Sequence, residues 1–447
     1  MSTTCDSLQD TEDPSPAVPR PPDGGYGWVC VAACFAINCF TWGVVASYGV
    51  FLGYYLENGI YLTATPTDFA FIGGLNFSVA MLASPAVTSQ NLAVTVLVRR
   101  NPFGIHLPML IGVGLQTAGF IIVSFATLGL GVGFTYIPSI AVLSQWFRRR
   151  RSLANGISAA GSGIGGLMFS FLVRAAISNV SLAWSLRITG LVSGFMNILA
   201  TVAIRSRNHI IQPKQHPFDM DLFCRYDVML VLAWAFVSML GYITLLFSMS
   251  NFASSIGLGE SQSANVTAFL NLGIALGRPF IGIISDYFGR IQTAGFITLL
   301  CALSVFVIWI PAISYGITIF FVIVNGAILG VFWVTIGPIC TEVVGLGELP
   351  SMLSLAWLVI VLPTTCKFGP VLYLKGDSHV IALILRPGLG NEFLYPQIFA
   401  GLAYLIASII SLELWRVRRR STVVEYASSQ GAPEGETSVA LTARQNP

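Results

Sequence analysis

Apolar stretches of about 18 residues or more recur from near residue 27 to near residue 415, broken only by short Gly-, Pro- or charge-bearing punctuation. A run of that length is what a helix needs to cross the hydrocarbon core of a bilayer. Composition agrees: of the 447 residues 55% are hydrophobic and 10% charged, against roughly 25% charged in a soluble domain. The mean hydropathy is +0.76. A soluble enzyme is excluded, and a single polytopic bundle accounts for the length better than several globular domains.

The punctuation places spans near 27–52, 69–90, 107–126, 128–146, 153–174, 184–204, 228–249, 264–284, 292–311, 316–339, 351–373 and 396–415. This predicts an all-α membrane protein of about twelve transmembrane helices. Because only 41 residues from Leu107 to Phe147 must make two spans, the fourth is expected to be short. The polar stretch 205–227 falls after the sixth span and divides the chain into two similar halves, 23–204 and 228–416. Large transporters are commonly built that way, with the site between the halves. Residues 1–22 and 417–447 are expected to be disordered cytosolic tails, the first being rich in Pro, Ser, Thr and acids with no basic start before an apolar core.

The net charge of +3 is small but unevenly placed. Arg20, Arg99, Arg100, Arg148 to Arg151, Arg205, Arg207, Lys214, Arg225, Arg290, Arg416 and Arg418 to Arg420 all fall on the side that also takes both termini, whereas the loops near 57–68, 250–263 and 312–315 hold no Lys or Arg. Cytosolic loops carry such an excess, so both termini are expected in the cytosol and the lipid bilayer, not nucleic acid, is the partner of these charges. The plasma membrane is the expected location. The eight Cys occur singly with no C-x-x-C pair, which argues against a disulfide framework or a zinc site; no metal and no cofactor is expected.

Between the eighth and ninth spans stands Gly282-Ile283-Ile284-Ser285-Asp286-Tyr287-Phe288-Gly289-Arg290. Its glycines permit close approach and a turn, and Asp286 can accept from the exposed amides of a neighbouring helix or pair with a basic side chain. This G-x-x-x-D-x-x-G-R pattern resembles the loop signature of the major facilitator superfamily. The equivalent first-half loop, Arg99 to Gly104, lacks the Asp. At the entrance to the first span, Asp23-Gly24-Gly25-Tyr26-Gly27-Trp28 resembles the first signature of the monocarboxylate porter family. The second follows in order at the fifth span, from Trp146 through Arg148, Arg149, Arg150 and Arg151 to Gly163. The pattern is most similar to fungal members of that family and covers roughly residues 22–416. The resemblance implies the major facilitator fold, with two pseudo-symmetric six-helix halves and alternating access without ATP hydrolysis. It also implies a gating role for Gly282, Asp286, Gly289, Arg290, Arg150 and Arg151.

Within the second signature, Gly161-Ser162-Gly163-Ile164-Gly165-Gly166 formally matches a dinucleotide fingerprint. It follows an arginine run rather than a strand and continues as a membrane helix, so helix packing through small residues is the better account.

Arg278 is the outstanding candidate for substrate contact. An ionisable group inside the eighth span costs several kcal/mol unless it faces a cavity or a partner. A guanidinium there suits the negative group of an organic anion, while a structural Arg paired with carbonyls is the competing account. The resemblance favours the first, since the family places a substrate-linked Arg before this Pro. It also sets two departures: where lactate carriers have a coupling Asp and Lys, this chain has Ile274 and Ala46. Asn38, Tyr48, Asn76, Asn271 and Asn325 are further polar candidates inside apolar spans, each equally able to be satisfied by a neighbouring helix.

The expected function is secondary transport of a small organic acid or related metabolite, with a proton as one candidate co-transported ion. Export of a fungal secondary metabolite is the alternative, and a transporter-derived sensor or inactive paralogue is an alternative of another class. An intramembrane enzyme would need clustered acid, base or metal-binding groups, and the four His are scattered.

Overall fold

The computed structural model describes residues 21–47, 50–51, 54, 66–88, 104–122, 125–211, 220–365 and 393–429. Tyr48, the loop Arg99 to Phe103, and the segments around Ser89 to Val94 and Lys367 to Val380 lie outside them.

A helix stands at each of the twelve expected positions. They are numbered α1 (Gly27–Phe40, resumed as Trp42–Ala46), α2 (Pro66–Leu82, resumed as Ser84–Thr88), α3 (His106–Ile121), α4 (Phe125–Trp146), α5 (Arg151–Asn179) and α6 (Leu182–Ala203) in the first half. The second half holds α7 (Tyr226–Ser255), α8 (Glu260–Phe288), α9 (Arg290–Ser304, continued by a wider turn Val305–Trp309), α10 (Tyr315–Leu329 and Val331–Val344), α11 (Leu349–Thr365) and α12 (Leu394–Ser429). Among the described residues nine helices are long and apolar enough to cross a membrane, and Gly74–Thr88, His106–Ile121 and Leu349–Thr364 are shorter apolar helices.

Two expectations are corrected. The fourth span is a 22-residue helix, and the third, at 16 residues, is the shorter of that pair. The helix begins at Phe125, ahead of the expected 128, and Gly129, Gly131 and Gly133 lie inside α4. They let the backbones of α2 and α3 approach, with Gly129 on the Asn76 carbonyl and Gly131 on the Gln116 amide. Residues 417–429, expected to open a disordered tail, continue α12 as helix. Arg418 there donates to the Glu342 carbonyl (2.7 Å) and to Asp227 (3.4 Å), which ties the extension to α10 and α7.

The packing repeats when six is added to each helix number. Within the halves, α3–α4, α1–α5, α2–α4 and α3–α6 recur as α9–α10, α7–α11, α8–α10 and α9–α12; between them, α5–α8 and α2–α11 exchange under the same operation. That is the signature of two pseudo-symmetric bundles facing one another. Without a hydrophobic drive between helices in lipid, such contacts depend on van der Waals fit and on small residues. At α5, Gly161 lies on the Phe35 carbonyl and Gly165 on the Cys39 carbonyl of α1, while Gly163 lies on the Asn271 carbonyl of α8. The G-S-G-I-G-G run is therefore a packing stripe that seats α5 between its own half and the other.

Where a helix breaks, side chains restore the lost backbone bonds, as an apolar environment requires. At the Thr41 break in α1, the Phe40 carbonyl accepts from Gln116 Nε2 (2.7 Å) and Asn197 Nδ2 (3.3 Å), and Asn197 also donates to Gln116 (3.1 Å).

Candidate functional site

Arg278 lies on α8 immediately before Pro279, is 4% exposed, and points across the interface between halves into α5. One terminal nitrogen donates to the Ala159 carbonyl and to Ser162 Oγ, both at 2.6 Å. Its Nε is buried without an acceptor. Among the described residues it makes no ion pair with an acid; the Tyr242 hydroxyl lies within hydrogen-bonding reach of the guanidinium and the Tyr136 ring flanks it. Gly330, at the bend of α10, lies against the guanidinium Nε and side-chain stem, where any side chain would intrude. Leaving a charged donor half-satisfied at this depth is expensive, since an unpaired buried donor costs roughly 1–3 kcal/mol and more when charged. One turn earlier stands Ile274, buried at 5%, and Ala46 is exposed. Neither position offers a titratable partner.

The remaining polar candidates separate on geometry. Asn38 Nδ2 donates to the Cys34 carbonyl (2.9 Å) and to Ser158 Oγ (3.1 Å), one turn of α5 before Ser162. Asn271 packs its amide on Gly166, two turns of α8 before Arg278 and on the same interface. Asn76 packs on Gly129 with its Oδ1 unpartnered. Asn325 donates to Ser304 (2.8 Å) inside the second half. The structure thus places Asn271 on the α5–α8 seam that holds Arg278, keeps Asn38 at the α1–α5 contact within the first half and leaves Asn325 inside the second; Tyr48 lies outside the described residues.

Sequence reasoning missed the rings around this Arg. Trp42 (α1), Phe77 (α2) and Tyr136 (α4) from the first half meet Tyr242 (α7), Trp333 (α10) and Trp357 (α11) from the second. Ring centroids are 4.9 Å apart for Trp42–Phe77, 5.4 Å for Trp42–Tyr136, 6.2 Å for Trp42–Trp333, 5.9 Å for Phe77–Trp333, 6.1 Å for Tyr242–Trp333 and 6.5 Å for Tyr136–Trp357. Trp333 and Trp357 stack at 5.8 Å and 15°. The indole N–H groups of Trp42 and Trp357 are buried and unpartnered, and that of Trp333 faces the Tyr242 hydroxyl. No spacing rule joins six rings on six helices, and only the assembled bundle could reveal them.

The arginine-rich end is closed by two carboxylates acting on one turn. Asp286 Oδ1 accepts from Ser152 N (3.0 Å) and its Oδ2 from Leu153 N (2.8 Å), so it caps the start of α5 from the other half. Gly282 allows that approach by lying on the Ser152 carbonyl, where a side chain would intrude, and Gly289, at φ +103°, turns the chain from α8 into α9. Arg290 donates to the Arg148 carbonyl (2.6 Å) and stands 3.9 Å from both Asp286 and Glu342. Arg151 is buried against the Phe147 (2.9 Å) and Ser144 (3.2 Å) carbonyls, whereas Arg150 is exposed and joins none of these contacts.

From its own half, Asp23 Oδ1 accepts from Arg148 N (2.6 Å) and Arg149 N (2.8 Å). Gly24 and Gly25 turn the chain by accepting from Gly27 N and Trp28 N, Gly27 lies flat on the Phe147 ring, and Trp28 packs edge-on to it at 5.1 Å. Tyr26 Oη donates to the Ala203 carbonyl (2.9 Å) under the Arg205 guanidinium (4.3 Å). Toward the opposite end the halves meet again, where Ser78 Oγ of α2 lies 2.8 Å from Thr364 Oγ1 in the last turn of α11.

Among the described residues no group of three or more His, Cys, Asp or Glu could hold a metal.

A family model described as Major Facilitator Superfamily matches residues 31–364. The chain is 30% identical over 407 residues to "Probable transporter MCH2" of Saccharomyces cerevisiae, spanning 87% of this chain and 82% of that protein. It is 26% identical over 434 residues to "MFS-type transporter opdF" of Penicillium oxalicum, spanning 91% and 94%. With the "Fujikurins efflux protein" of Gibberella fujikuroi it shares 25% identity over 415 residues, spanning 88% and 83%.

Proposed function

The chain belongs to the Major Facilitator Superfamily and is a multi-pass membrane transporter rather than an enzyme; from that premise we propose that it carries an organic anion or related metabolite, held at Arg278 between its halves. The observation that carries this reading is the buried guanidinium with one nitrogen on Ala159 and Ser162, its Nε free, and no described acid paired with it. A planar fork with open donors suits a carboxylate. Asn271 lines the same seam and Asn38 the adjoining α1–α5 contact, and both are assigned supporting contacts. The two entry signatures support placing the chain beside the monocarboxylate porters.

The cluster of arginines at one end, joined through Asp23, Asp227, Asp286 and Glu342, supports an orientation with that end and both termini in the cytosol. The plasma membrane is the location proposed for it.

A second reading, export of a larger metabolite, is favoured by Ile274 and Ala46, which stand where lactate carriers have a coupling Asp and Lys. The relative named as an efflux protein supports it as well.

The test is flux of labelled carboxylates and hydrophobic fungal metabolites in proteoliposomes, with and without an imposed pH gradient. Carboxylate flux that the gradient drives supports proton-coupled uptake. Metabolite flux indifferent to the gradient, with no carboxylate flux, supports the exporter. Absence of both overturns the transport of organic anions and metabolites.

A further inference from the structure

Resting on that reading of Arg278, we infer that the transported anion has a planar, conjugated body of one or two fused rings, held between the aromatic side chains of the two halves. Trp42, Phe77 and Tyr136 travel with the first half, and Tyr242, Trp333 and Trp357 with the second. In the closed arrangement each set serves as the packing partner of the other, through Trp42–Trp333, Phe77–Trp333 and Tyr136–Trp357. Alternating access separates the halves, and every one of those cross-half ring contacts is then lost.

A ligand that restores them must present a π-face, because ring pairs gain from offset or edge-on geometry that a saturated body of equal size does not offer. It must also bring acceptors. The indole N–H groups of Trp42 and Trp357 are buried and unpartnered within this one cluster, the Trp333 N–H faces the Tyr242 hydroxyl, and Arg278 Nε is unpartnered beside Tyr136 and Tyr242. Ring faces together with one cation and neutral donors match an aromatic carboxylate, whose oxygens meet the guanidinium while its ring stacks on Trp333. A small hydrated acid such as lactate would leave the ring faces and the indole donors unmet.

The test compares 2-naphthoate with decahydro-2-naphthoate, equal in charge and similar in bulk, by titration calorimetry on the full chain in nanodiscs. Restoring two ring contacts predicts a preference of about tenfold or more for the aromatic acid. Trp333→Leu should abolish the preference while saturated-acid binding persists, and Trp333→Phe, which keeps a ring, should retain it. Equal affinities, a preference that survives Trp333→Leu, or binding of neither acid to folded protein would overturn the inference. The same preparations separate it from the transport reading. Lactate flux without an aromatic preference leaves transport standing and removes the substrate class. Trp333-dependent naphthoate binding without flux of any anion does the reverse.

Discussion

At the scale of the residue, free energy is concentrated in a few buried polar groups whose partners come from the other half. Asp286 is the clearest, since both its oxygens accept from backbone N–H groups of α5. Charge-assisted bonds of this type contribute roughly 1.5–3 kcal/mol each, and the N-terminus of α5 adds its dipole. Asp286→Asn keeps the shape but loses the charge and turns one acceptor into a donor facing an amide. It should weaken closure of the arginine-rich end by about 2 kcal/mol, roughly 30-fold in the closed-to-open ratio. Labelling of a cysteine introduced at Ser285, buried in that seam, would report the change as faster modification; an unaltered rate would remove Asp286 from the gate.

Arg278 and Asp286 were both legible in the sequence, because a charge at membrane depth and an Asp in a Gly-bounded loop stand out from what surrounds them. Asn325 was not separable from Asn38 by sequence, since each is an Asn in an apolar span and only packing shows which helix satisfies it. The family-like Asp23 carried a signature without a mechanism until the structure placed it on the Arg148 and Arg149 amides.

At the scale of the element, glycine decides which helices can touch across the seam. Gly163 admits the Asn271 carbonyl and Ala275 amide at a distance no side chain tolerates. Gly163→Val is therefore expected to hold α5 and α8 apart, lowering flux at least about tenfold and the melting temperature by several degrees, as overpacking costs typically 1–3 kcal/mol. Gly114, whose added Cβ would meet nothing within 4 Å, provides the control, and Gly114→Ala should leave both unchanged. Wild-type flux in Gly163→Val would show that the close contact is dispensable.

Helix number and order were readable because each span must be apolar on its own. Helix ends were not. The fourth span, expected to be short, runs 22 residues, and the basic run after Trp415 looked like the start of a tail. What fixes both is contact with other helices, in one case the Asn76 and Gln116 backbone and in the other Asp227 and Glu342.

For the whole molecule, the halves are joined at the arginine-rich end through Asp286 and Arg290 and again at Ser78–Thr364, with the aromatic rings and Arg278 between. Alternating access requires each junction to open while the other holds. Replacing both Ser78 and Thr364 by cysteine should place two thiols within bonding reach. Oxidation should then arrest flux and a reductant restore it, while oxidised protein that still transports would show that this junction never parts. The sequence announced two halves but was silent on their meeting surfaces, since rings from residue 42 to residue 357 become neighbours only when both halves are assembled.

The central claim is that an organic anion is carried on Arg278 between the two halves. Its most direct measurement is counterflow of a labelled organic anion in proteoliposomes, comparing wild type with Arg278→Ala at matched insertion. Saturable, ATP-independent exchange that falls to the level of empty liposomes in the variant is the predicted result. Exchange with unchanged kinetics in Arg278→Ala would contradict the account and leave the guanidinium as a structural tie between α8 and α5.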